Sequence, residues 1–378
     1  MSPSPQWSNL RAVMRTHSFA ARVLDAGQGL RRQKVRELVS HVRGRPGRAV
    51  DVKGAVFDTA LNLISATAFS SDLVALDHHS DHSRGGFKEV ISGIMEEVGK
   101  PNLVDFFPLL VPIDPHGCRR KVTKCFIRLF GMIDEIIDRR LKLTKEEEQE
   151  QKSHDLLDEL LHLQLDRPTL RSLLADYFIA GSDTSSVTVG WAMAELLRSP
   201  STMATARTEL ASIVGPTRED AESDIPELPF LRAVVKETFC LHPTGPLLLP
   251  HRVEADAELG PYAVPKHNQV VVNVWAIGRD ESVWEDAEAF KPERFLGSEV
   301  DFCGRHFELI PFGAGRWMCP GMPLADRMVH LTLASLILSF EWKLHEGVKP
   351  ADVDLMEKFG VSLALAVPLL AIPLPVKD

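Results

Sequence analysis

No glycine/serine-rich linker, no abrupt shift of composition and no internal repeat interrupts this chain. Its 378 residues would suggest two or three domains by length alone, but without a visible seam they read as one domain, 1–378. Cysteine is scarce: Cys118, Cys125, Cys240, Cys303 and Cys319 have no metal-type spacing, and no secretory signal accompanies them. That excludes a disulfide scaffold and makes a reduced compartment the default. An excess of positive charge is also missing. The net charge of −9 argues against a general nucleic-acid binder. A membrane-spanning run is missing too: MSPSPQWSNLRAV at the start is polar and proline-bearing. The apolar stretch GVSLALAVPLLAIPLPV near the end is short for a span and is broken by Pro368, Pro373 and Pro375. Its alternation suggests a buried hairpin instead.

What is present describes an ordinary globular protein with a sizeable core, 44% apolar and 25% charged. Most of it reads as helix. Apolar and basic residues follow helical spacing over 9–43, and the pattern returns over 53–69 and 121–142. The longest candidate opens near Asp166 and Pro168 and runs to about Arg198, before Pro200. Two more cover about 201–213 and Pro229 to Leu241. HRVEADAELGPYAVPKHNQVVVNVW then alternates around Gly260-Pro261, which predicts short strands about a turn. The charged run TKEEEQEQK at 144–152 reads as a solvated loop or helix end. Charge is uneven along the chain: residues 1–48 carry ten Lys/Arg against two acidic residues.

The most informative residue is Cys319, in IPFGAGRWMCPGMPLADRMVHLTLASLILSF. The pattern places it at a helix N-cap, with Pro320, Gly321 and Met322 as the first helical positions. The amides of Gly321 and Met322 would then point at the sulfur, and the helix dipole would favour thiolate. Phe312, Gly313 and Gly315 would let the backbone pass close to something large and flat. A thiolate so held is a soft ligand for one axial position of a haem iron. In the longest helix, AGSDTSS at 180–186 collects indifferent helix formers, and Thr184 can bond back to the Ala180 carbonyl and bend the helix.

Phe312, Gly315, Cys319 and Gly321 match F-x-x-G-x-R-x-C-x-G, and the segment resembles the haem-binding signature of cytochromes P450. Further elements resemble that family from Trp7 nearly to the C-terminus. AGSDTSSVTVGWAMAELL, HPTGPLLLPHR and VNVWAIGRD look like the plant, terpenoid-oxidising, geraniol-hydroxylase-like branch. The resemblance implies a mainly α fold with a small β region, here lacking the family's N-terminal anchor, first helices and part of its sheet. It implies haem b with Cys319 as axial iron ligand. Trp7 and Arg11 match W-x-x-x-R, and with Arg252 they would contact the haem propionates. Thr184 would relay protons during oxygen activation, with Asp183 supporting delivery. The expected activity is insertion of one atom of O2 into a small hydrophobic, terpenoid-like substrate. Electrons would come from NADPH through NADPH–cytochrome P450 reductase, which the basic N-terminal segment could meet. The family sits on the endoplasmic reticulum; without an anchor this chain would be cytoplasmic or peripheral.

Three departures from the family pattern set a second expectation, a non-catalytic remnant with impaired haem binding. The chain starts at the helix carrying Trp7. KETFCLHP places Cys240 where relatives carry arginine, leaving Glu237 and Arg294 of a buried network. Trp317 stands at the signature's arginine. Cys303 also occupies a position that is often basic in relatives.

Overall fold

The structure is a computed structural model describing residues 4–74, 86–146, 155–215, 222–345 and 347–376. It opens with α1 (Pro5–His17), whose N-cap Ser4 accepts the Trp7 amide and whose first position is proline. α2 (Ala21–Ala26) and α3 (Gln28–Arg43) follow, so the continuous helical pattern of 9–43 is cut twice, after His17 and at Gly27. α4 (Val52–Phe69) is capped by Asp51, which accepts the Gly54 amide. α5 (Gly86–Val98), α6 (Leu103–Phe106), α7 (Cys118–Glu146) and α8 (Leu156–His162) come next. Beyond Glu146, the rest of the charged run to 152 lies outside the described residues.

α9 (Arg167–Arg198) is the axis of the molecule. Asp166 caps it by accepting the Thr169 amide at 2.9 Å, and it stops one residue before Pro200. Its C-terminal half is buried on all sides, as an apolar-all-round helix must be. Its N-terminal half joins a core with α4, α5, α7 and α8, built on Leu61, Ile91, Leu129 and Phe178. Its C-terminal half joins a second core with α10 (Pro200–Ile213), α11 (Pro229–Leu241) and α13 (Met322–Ser339). α9 therefore belongs to both cores and passes beneath the loops that follow α11.

The β structure is small, as expected. β1 (Val50–Asp51), β9 (Leu370–Pro375) and β6 (Phe340–Leu344) form one antiparallel sheet in that order. β2 (His251–Arg252) pairs with β5 (Gln269–Val270). β3 (Ala257–Leu259) and β4 (Tyr262–Val264) form the anticipated hairpin, with Gly260 at φ 57° supplying the left-handed turn residue. α12 (Val274–Ile277) follows. The C-terminal apolar run does not fold on itself as a hairpin. Its first part, β8 (Ala364–Leu365), pairs back to β7 (Glu357–Lys358), whereas β9 pairs with β6. Pro368 separates the two parts. Pro373 and Pro375 are tolerated because β1 covers only residues 370 and 371, leaving that side of β9 unpaired beyond them.

Candidate active site around Cys319

The loop before α13 is held open by backbone geometry. Gly313 and Gly315 have φ of 73° and 63°, a region closed to most side chains. Phe312 anchors the loop, meeting Phe239 edge-on at 5.1 Å and Phe302 at 5.6 Å. The Phe312 carbonyl accepts the Cys319 amide at 2.8 Å. α13 begins at Met322 with Gly321 as its N-cap, and not at Pro320. Pro323, not Pro320, is the proline of the first turn.

The amides of Gly321 and Met322 nevertheless bond to the Cys319 sulfur, as the sequence suggests. Cys319 is accessible to solvent, yet enough protein surrounds it for burial to push its thiol up. The two observations together place the sulfur at the floor of a recess. The two amides and the Arg11 guanidinium pull the other way but do not win. The expected depression of the thiol is therefore not found. A bound cation at the sulfur would reverse the balance, because a coordinating thiol is deprotonated by its metal.

α1 closes over this recess. Arg11 donates from Nη2 to the Met318 carbonyl, one residue before Cys319. Trp7 packs against Trp317 at a tilt of 42° with ring centroids 4.3 Å apart, and the Arg11 guanidinium lies 5.5 Å from the Trp7 ring. Trp317, standing where the signature has arginine, also meets His251 edge-on at 5.5 Å. Trp7, Arg11 and Cys319 are thus brought together. Arg252 is exposed on β2 opposite Gln269. Adjacent strand residues face opposite sides, so the side chain at the recess is that of His251. His251 therefore joins Arg252 as a candidate at the haem edge.

The 180–186 segment has the local bonding expected of it. Thr184 Oγ1 donates to the Ala180 carbonyl at 2.7 Å, and Ser182 bonds back to Phe178 in the same way. Thr188 continues the row, bonding the Thr184 carbonyl and meeting the Thr244 hydroxyl at 3.0 Å. The Thr244 carbonyl in turn accepts the Leu363 amide, which ties α9 to the loop after α11 and to the C-terminal segment. Asp183 is buried and turns away to an ion pair with Lys53 of α4 at 3.5 Å. Lys53 was not anticipated, since nothing local in sequence links it to residue 183.

Behind the cysteine loop, Glu237 is fully buried. Its Oε1 accepts the Lys291 amide at 2.7 Å and its Oε2 lies 3.1 Å from Arg294 Nε. Arg294 divides its remaining donors among the carbonyls of Glu285, Asp286 and Ala289. Cys240 adds no charge to this network; its thiol points to the Gly278 carbonyl at 3.6 Å, and burial pushes it up to about 12. With one guanidinium where two are expected, burial dominates at Glu237 and pushes its carboxyl up to about 7. Arg294 and the Lys291 amide oppose that rise, while Glu195 and Glu293 add to it.

A thiol accessible in a recess, a cationic side chain beside it and an aromatic wall form a donor set that fits a haem with one soft axial ligand. The comparisons agree. The cytochrome P450 family model matches residues 1–366. Geraniol 8-hydroxylase of Catharanthus roseus is 47% identical over 97% of this chain and 75% of its own length. Geraniol 8-hydroxylase of Swertia mussotii is 46% identical over 98% and 75%. Ferruginol synthase of Salvia miltiorrhiza is 41% identical over 98% and 76%. Among solved structures, a zebra fish cytochrome P450 with progesterone superposes with a TM-score of 0.82, at 26% identity, covering 99% of this chain and 84% of that one. Motif, fold and relatives converge, and the chain belongs to the cytochrome P450 family of haem-containing monooxygenases.

Proposed function

We propose that this chain is a haem-thiolate monooxygenase that inserts one oxygen atom into a C–H bond of a small terpenoid-like substrate. The observation that carries the reading is Cys319, accessible at the floor of its recess with two amides and Arg11 turned to it. Cys319 would be the axial ligand, and Trp7, Arg11, His251 and Arg252 would border the haem edge. When bound, haem supplies the oxygen-activating iron, and an axial thiolate favours O–O cleavage. The chain's own contribution is to position and to move protons. Thr184, held by the Ala180 carbonyl, presents a hydroxyl from the central helix, and Asp183 with Lys53 forms a charged pair one residue away. A terpenoid-like substrate is supported by the two geraniol 8-hydroxylases and the ferruginol synthase among the relatives.

Electrons would come from NADPH through a reductase. Arg15 and Arg22 are exposed on α1 and α2, beside the loop that holds Cys319, and complementary charge there would speed encounter. Among the described residues, no helix is long and apolar enough to cross a membrane. Peripheral attachment is supported by a different feature. Phe106, Phe107, Leu109, Ile113 and Ile127 are exposed, and Arg119, Arg120 and Lys124 line the same hollow as Ile113 and Ile127. An apolar surface rimmed by cations suits a membrane of the endoplasmic reticulum type.

The second reading, a remnant that no longer keeps haem, is favoured by Trp317. Its indole is committed to Trp7 and offers no charge to a propionate. The deciding measurement is the difference spectrum of the haem-supplemented, dithionite-reduced protein with and without carbon monoxide. A strongly red-shifted Soret band establishes thiolate ligation by Cys319 and is abolished in Cys319→Ala. A spectrum without that band establishes the remnant.

A further inference from the structure

Away from the recess, α11, α13 and the loop at 301–303 enclose a cavity of about 240 Å³. We propose that it binds a hydrogen-phosphate group, either free or as a phosphomonoester. Arg232 and Lys236 line it from α11, four residues apart on one face. Like charges at that spacing destabilise a helix unless something answers them. Arg232 is exposed, and among the described residues its guanidinium has no hydrogen bond or ion pair. Lys236 is buried; its Nζ donates to the Val300 carbonyl at 2.6 Å, leaving two protons free. Burial, with Arg232 nearby, holds that ammonium below its usual range, although Asp301 and Cys303 partly compensate. Arg327 also lines the cavity but is committed to Asp25 at 2.7 Å.

The opposite wall asks for a donor. His330 is 2% exposed, and its Nδ1 lies 2.7 Å from the Asp326 carbonyl and 3.0 Å from Asp326 Oδ1. A proton on Nδ1 satisfies that arrangement. Nε2 is buried without a partner behind that wall, so the acceptors presented to the cavity are carboxylates. Asp301, which accepts the Cys303 thiol at 3.3 Å, and Asp326 supply those acceptors. A ligand must therefore bring negative oxygens to one side and an O–H to the other. Hydrogen phosphate carries both, whereas sulfate at neutral pH brings only acceptors and would face the carboxylates unprotected. A phosphate occupies well under half of such a cavity, so room remains for an ester substituent or for water. Met322, the first residue of α13, is part of the wall, so occupancy bears on the helix that follows Cys319.

Isothermal titration of the haem-supplemented protein at pH 7 and fixed ionic strength tests this, with inorganic phosphate, glycerol 3-phosphate and sulfate as probes. The expected result is phosphate binding at least about tenfold tighter than sulfate, with Arg232→Gln and Lys236→Gln each weakening it about tenfold, the worth of one charge-assisted bond. Tighter binding of glycerol 3-phosphate than of phosphate assigns the occupant to a phosphomonoester; weaker binding assigns it to the free ion. Equal affinity for phosphate and sulfate overturns the proposal, as does an Arg232→Gln variant with unchanged phosphate affinity. Arg232 is exposed, so that variant remains informative even where Lys236→Gln fails to fold.

Discussion

At the scale of single residues, position 240 has the widest consequences. Glu237 ionises with difficulty because one guanidinium, not two, faces it. Its folded value of about 7 lies above the ordinary 4.5, so the folded state holds the proton more tightly than the unfolded chain does. The stabilisation from this group is complete below about pH 4.5 and is lost as pH rises to about 7, a change of about 3 kcal/mol at most. Thermal melts of the wild type minus those of Glu237→Gln should show that decline between pH 5 and pH 7 and a flat difference above it. A difference that stays flat across that range would mean that Glu237 is already ionised in the folded state. Cys240→Arg should abolish the decline by returning a second cation. Trp317→Arg acts on the other departure. It replaces an indole packed against Trp7 by a propionate partner, and haem titration followed at the Soret band should show affinity raised roughly ten- to a hundredfold. Residue chemistry was legible where a motif fixed it: the spacing that singled out Cys319 also gave its amide partners. What was not legible is the sign of the thiol's shift, because burial is a property of the assembled recess. His251 was hidden for a similar reason, since its place beside Trp317 depends on the register of β2.

At the scale of elements, helix ends marked by chemistry were readable and interruptions without it were not. Asp166 with Pro168, and Pro200 at the far end, bracket α9 to within a residue or two. The two breaks inside 9–43 carry no proline, and Gly27 alone is a weak stop. The start of α13 was misplaced because Pro320 and Pro323 both suit a first turn, and the sequence does not say which one the helix uses. The C-terminal run was misjudged for the same cause: period-two alternation identifies strands but not their partners. α9 itself supports a sharp expectation. Thr184→Ala deletes the hydroxyl bonded to Ala180 while leaving a helix of full propensity. The carbon monoxide difference spectrum should be unchanged and helicity equal or slightly higher. Product formed per NADPH consumed should fall about a hundredfold, the usual scale for a lost proton-transfer group. Equal loss in the spectrum would make Thr184 a structural residue.

At the scale of the molecule, the distribution of apolar surface sets where the chain can reside. The two cores meet along α9. The segment from α6 to the start of α7 is different: Phe106, Phe107, Leu109 and Ile113 are all more than half exposed, and Leu109 is 92% so. Ile127 stands open on α7 with Arg119, Arg120 and Lys124 around it. Water-facing groups of that size rarely gather on a monomer without something to cover them. Burying one large apolar side chain is worth about 1.5–3 kcal/mol, and each cation near an anionic surface adds about 1 kcal/mol. A patch of four such residues with three cations is sufficient for reversible membrane association without any spanning helix. Co-sedimentation with vesicles containing anionic lipid should therefore retain the wild type, and Leu109→Glu with Ile113→Glu should release it by at least about tenfold. The two effects separate by salt. Raising ionic strength should weaken the cationic contribution and leave the apolar one, so the wild type should bind neutral vesicles less tightly but with little dependence on salt. Binding that vanishes entirely in high salt would assign attachment to charge alone and remove the apolar segment from the argument.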